Sequence, residues 1–108
     1  MDIEFFRNHC LAKIAVTEEF PFDHETLVFK VAGKMFALTD LDSFESINLK
    51  CDPDKAINLR EQYDAILPGY HMNKKHWNTV IVDGRLSKKQ LCKMLDDSYK
   101  LVGGNKIA

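Results

Sequence analysis

The chain has 108 residues, 45% of them hydrophobic and 29% charged, a balance that fits one compact domain and excludes an intrinsically disordered chain. A domain of this length buries roughly two-thirds of its unfolded surface, enough for a core that needs no metal or disulfide. The net charge of −1 supplies no general attraction to nucleic acid or to an anionic membrane, so the distribution of charge carries more information than its sum.

Residues 1–25 hold two basic and six acidic side chains, residues 26–80 seven of each, and residues 81–108 six basic against three acidic. An acidic first helix beside a basic last helix accounts for that gradient as well as a functional basic face does. Cys10, Cys51 and Cys92 are odd in number, far apart and never spaced as Cys-x-x-Cys. The opening residues are acidic, unlike a secretory signal, and no apolar run approaches the ~20 residues of a membrane span. Free, mostly buried thiols in a cytoplasmic protein are therefore expected, with no membrane contact.

In chain order, Asp2 is placed to cap a first helix, along which Ile3, Phe6, Cys10, Leu11 and Ile14 form an apolar stripe. Residues 18–23, containing Pro21, break the period and read as a connecting loop. Thr26–Val31 and residues 35–39 read as strands joined through Ala32-Gly33-Lys34, where Gly33 supplies the positive φ of a short hairpin turn. Leu27, Phe29 and Val31 alternate with Thr26, Val28 and Lys30, and residues 46–51 repeat the pattern with Ile47, Leu49 and Cys51 on one face.

Asp52-Pro53 opens a second helix with a capping carboxylate and a proline at the first helical position, and Ala56, Leu59 and Tyr63 share one side of it. Pro68-Gly69 stops that region, and residues 77–82 form a further strand before Asp83-Gly84 turns the chain. Ser87 and Gln90 make a capping box, flanked by Leu86 and Leu91 as a hydrophobic staple, for a last helix whose inner face carries Leu91, Met94, Leu95, Ser98 and Val102. Helices around strands in series predict an α+β fold, a two-layer α/β sandwich with an antiparallel sheet in the order α-β3-α-β2-α.

Several motifs in this layout carry a family resemblance. They are Glu19-Phe20-Pro21-Phe22, the run from Val28 to Phe36, Asn48-Leu49-Lys50-Cys51-Asp52-Pro53, Arg60-Glu61, Pro68-Gly69 leading into Tyr70-His71-Met72-Asn73-Lys74-Lys75-His76-Trp77, and Ser98-Tyr99-Lys100-Leu101-Val102. Together they resemble the MmcQ/YjbR family of small bacterial proteins over essentially the whole chain. The resemblance implies the same α-β3-α-β2-α order, similar to secretion-chaperone-like domains, and DNA binding through a double-wing arrangement.

The octet from Tyr70 to Trp77 gathers two imidazoles, two ammonium groups, an amide and the single tryptophan, a mixture that no core requires. Lys30, Lys34, Lys50, Arg60, Lys74 and Lys75 are the cations expected to contact phosphate, and Tyr70, His71, Asn73, His76 and Trp77 are expected to stack or hydrogen-bond beside them. The competing account has the lysines solvating a sheet face and Trp77 in the core with its N–H satisfied by backbone. A protein-interaction or small-ligand module using Tyr70, Met72 and Trp77 is the alternative function.

Catalysis by His71 and His76 finds no nucleophile elbow, paired carboxylates or phosphate-cradling glycine loop to accompany it, and a five-residue spacing suits no metal pair. The expectation is a non-enzymatic binding protein without cofactor or metal, monomeric or weakly dimeric, with DNA as the favoured partner.

Overall fold

The computed structural model describes residues 1–104. One six-stranded sheet and three helices follow one another as α1 (Ile3–Leu11), β1 (Val16–Glu19), β2 (Thr26–Val31), β3 (Lys34–Asp40), β4 (Ser46–Lys50), α2 (Pro53–Gln62), β5 (Ile66–Pro68), β6 (Trp77–Ile81) and α3 (Lys88–Gly103). Strand order across the sheet is β1-β2-β3-β4-β6-β5, and every neighbouring pair is antiparallel. The expected two-layer α+β class stands, with one strand more than the motif order gave.

That added strand is β1. The helical stripe was expected to reach Ile14, but α1 ends at Leu11 and Ile14 is 72% exposed. Ala15 takes a positive φ of 62°, which turns the chain out of the helix and into the edge of the sheet, where Val16 pairs with Val31. At the other edge, β5 tolerates Pro68 because an edge strand has one side without a ladder partner for its missing N–H.

The helices cover one face of the sheet. Phe6 and Cys10 from α1, and Leu91, Leu95 and Tyr99 from α3, pack with Leu27, Phe29, Val31, Phe36, Ile47, Leu49 and Val80 in the main core. The capping box of α3 is complete: Ser87 Oγ accepts from the Gln90 amide at 3.1 Å, and Gln90 Oε1 accepts from the Ser87 amide at 2.8 Å. Leu86 and Leu91 are both buried beside it, as a staple requires.

Charge between the terminal helices runs opposite to the simple gradient. Asp96 of α3 is the acid, and it is held by His9 of α1 at 2.9 Å and by Lys13 just beyond α1. Lys88 of α3 instead lies 4.1 Å over the ring of Phe5. The three cysteines are free thiols, Cys10 buried and Cys51 and Cys92 half-buried. Burial pushes the Cys10 thiol up to about 12, so it stays protonated.

The second face of the sheet carries no helix among the described residues. Val28, assigned from its alternation to an outward row with Thr26 and Lys30, is fully buried there. It packs with Leu38 and Trp77 in a small second cluster, and Met35 and Met72 close over it.

Candidate functional site

Register places the candidate cations. The β2–β3 bulge at Phe29/Lys30 sets Lys30 opposite Met35, and β4–β6 pairing sets Lys50 opposite Trp77. Paired residues of an antiparallel ladder share a face, so both pairs stand on the helix-free side. Lys34 follows the two-residue turn of Ala32 and Gly33, whose φ values of 53° and 76° match the type I′ geometry favoured in hairpins.

Lys30, Lys34 and Lys50 therefore converge at one end of the sheet. With Pro21, Phe22, Gly33, Met35 and Trp77 they line an open concavity of about 430 Å³. Lys30 lies 3.3 Å from Glu19 across the β1–β2 pair. The Glu19 carboxyl is held below its ordinary value first by the Thr17 hydroxyl and then by Lys30. Lys34 and Lys50 have no carboxylate within ion-pair distance among the described residues, which leaves a local positive surplus.

Trp77 is only 7% exposed. It forms a wall of this surface, in the core placement that was weighed against stacking. Its polar neighbours fix the strand: Asn78 is buried and accepts from Arg60 Nε at 2.7 Å, and buried Thr79 donates to Asn48 at 2.6 Å.

Arg60, half-buried, and Lys74, exposed, both make hydrogen bonds within this region. The guanidinium of Arg60 bonds Asn78 and the carbonyl of Lys74, while Lys74 Nζ donates to the Gly69 carbonyl at 2.9 Å. Both cations satisfy loop carbonyls, because the segment from Gly69 to His76 leaves few strand partners for its own backbone. Asn73 tightens the same loop by accepting from the Lys75 and His76 amides, and the Cys51 amide donates to the His76 carbonyl at 2.8 Å.

What remains displayed is narrower than the whole octet. Tyr70 is 69% exposed, and its ring lies 4.1 Å from that of His71, a residue with a positive φ of 57°. Lys75 and Asn73 are exposed and His76 is half-buried. Neither His71 nor His76 lines the concavity beside Trp77. Phe22, 63% exposed, was missed as a site residue. Two phenylalanines flanking a proline in a loop with no burial period were the available signal.

Comparison with known proteins follows the same geometry. The YjbR family model matches residues 11–101, spanning every strand and most of the helical layer. The chain belongs to the YjbR family. Within it, YbdF of Escherichia coli O157:H7 is 45% identical over 83 residues, covering 76% of this chain and 68% of that one. YjbR of Escherichia coli K12 is 32% identical over 101 residues, covering 93% and 86%.

Among solved structures, Deinococcus radiodurans DR2400, a DUF419 domain, superimposes with a TM-score of 0.90 at 40% identity, over 98% of this chain and 81% of that chain. A Pseudomonas syringae protein gives a TM-score of 0.80 at 28% identity, over 94% and 99%. The YjbR fold is thus the shared frame on which the lysine and aromatic surface is built.

Proposed function

We propose that this YjbR protein is a nucleic-acid-binding protein that takes a single strand across the helix-free end of its sheet. The observation that carries this reading is the convergence of Lys30, Lys34 and Lys50 with Phe22, Met35 and the edge of Trp77 on one concave surface. Phosphates meet Lys34 and Lys50, with Lys30 shared between the ligand and Glu19. Bases lie against Phe22 and Met35, and Tyr70 and Lys75 extend the track along the neighbouring loop. Base-to-aromatic stacking needs an unpaired base, which favours single strands over duplex.

Because the whole molecule carries −1, long-range steering is weak and attachment depends on the local cations. Three phosphate contacts give log affinity a slope of about −2 against log salt on a single strand. Anisotropy of a labelled mixed-sequence oligonucleotide tests this at low and moderate salt, in single-stranded and duplex form. The K34E/K50E double variant is expected to remove binding and F22A to weaken it by about tenfold, within the range of one stacked base. Absence of binding to wild type at low salt, or full binding by the double variant, overturns the proposal.

A further inference from the structure

The helical layer contains a second concave feature over the covered side of the sheet, and Lys50 at the end of β4 borders both it and the lysine surface. Helix α3 packs over β3 and β4, whereas α2 packs on β5 and β6, so the two helices diverge above the β4–β6 pair. Leu49 and Val80 form the floor between them, Leu59 of α2 and Met94 and Leu101 of α3 form walls, and Leu101 is half exposed. An ion pair spans the gap where apolar contact would ordinarily close it: Lys55 Nζ lies 3.0 Å from Asp97 Oδ2.

That bar divides one groove into two compartments. The deeper, about 230 Å³, reaches Cys51 and Val80. The shallower, about 390 Å³, runs along Tyr63 and Leu86, and Leu59, Met94 and the ion pair border both. The deeper compartment alone exceeds the ~150 Å³ of an apolar cavity able to hold benzene.

The bar is electrostatically unbalanced. Asp97 is bound by two ammonium groups, Lys55 and, at 2.6 Å, Lys93. Burial pulls the Asp97 carboxyl up, but the hydrogen bonds and charges of Lys93 and Lys55 together outweigh it and hold the group below its ordinary range. When Lys55 leaves, Asp97 keeps Lys93, and Lys89 adds a further positive charge to the same rim. The groove therefore combines an apolar trough with one cation free to change partner.

We propose that this groove binds a single-chain amphiphilic anion, an alkyl carboxylate of medium length. The tail lies between Leu59 and Met94 above Leu49 and Val80, and the carboxylate takes Lys55 in exchange for Asp97. Affinity then rises roughly three- to fourfold per methylene until the trough is full. A neutral alcohol of equal length, lacking the head-group charge, binds at least fivefold more weakly.

Calorimetric titration of the full chain with hexanoate, octanoate and decanoate, and with decanol, tests the proposal. Cys51 gives an internal reporter because it lines the deep compartment, while half-buried Cys92 does not. Saturating decanoate is expected to slow alkylation of Cys51 and to leave Cys92 unchanged. K55Q is expected to lose about fivefold in decanoate affinity with decanol unaffected, and M94R, at a half-exposed position, to lose both ligands. No heat with decanoate, equal protection of Cys51 and Cys92, or unchanged decanoate affinity in K55Q overturns the assignment.

Discussion

Gly69 shows how close the packing beneath the exposed octet is. A Cβ there would lie 2.9 Å from both the Cβ and the carbonyl oxygen of Trp77, and 3.0 Å from the Cβ of Met72. Two of these atoms belong to Trp77, which pairs with Lys50 of β4 on one side and accepts from the Gly69 amide at 2.9 Å on the other. Gly69→Ala therefore moves the loop rather than the strand. It is expected to cost about 1–3 kcal/mol, as overpacking does, read as a lower urea midpoint at unchanged slope. Ser98 makes a related point about what residues can reveal. Its place on the inner side of α3 was legible from helical spacing. The reason it is a serine was not: its hydroxyl donates to the Phe36 carbonyl at 2.6 Å and accepts from the Lys50 amide at 3.0 Å, joining backbone from β3 and β4. The carbonyl bonds of Arg60 and Lys74 were hidden for the same cause, since a cation that satisfies carbonyls looks identical in sequence to one awaiting phosphate.

Among elements, those with strong caps and sustained periods were the readable ones. Asp52-Pro53 starts α2, the Ser87/Gln90 box starts α3, and alternation marks β2 and β4. β1 and β5, of four and three residues, are too short to show a period, and each draws its pairing from one neighbour only. The join between α1 and α3 makes a pH-dependent element. Burial draws the Asp96 carboxyl upward, yet hydrogen bonds from Lys13 and His9 together hold it below its ordinary value. The unfolded chain then takes up the proton first, so this contribution is complete above the unfolded value of about 3.9 and is lost as pH falls through the lower folded one. Asp96→Asn is expected to destabilise by roughly 0.5–1 kcal/mol at pH 7, discounted for a partly exposed site, and by less at pH 3. Urea unfolding of both proteins at the two pH values measures the difference; an equal gap at both removes the Asp96 link.

At the scale of the whole molecule, the sheet separates two chemistries. Its covered side holds the main core and the groove between α2 and α3, and its bare side holds the concavity of Lys30, Lys34 and Lys50, the last bordering the groove as well. Composition announced neither, because a net charge of −1 averages over both sides. The small cluster of Val28, Leu38 and Trp77 on the bare side was equally hidden, since alternation alone assigns that row to water. The single indole sits there and does not line the groove between the helices. It makes the molecule its own spectroscopic probe: tryptophan emission is expected to be quenched by an oligonucleotide and indifferent to decanoate. A reversed response would exchange the occupants assigned to the two sides.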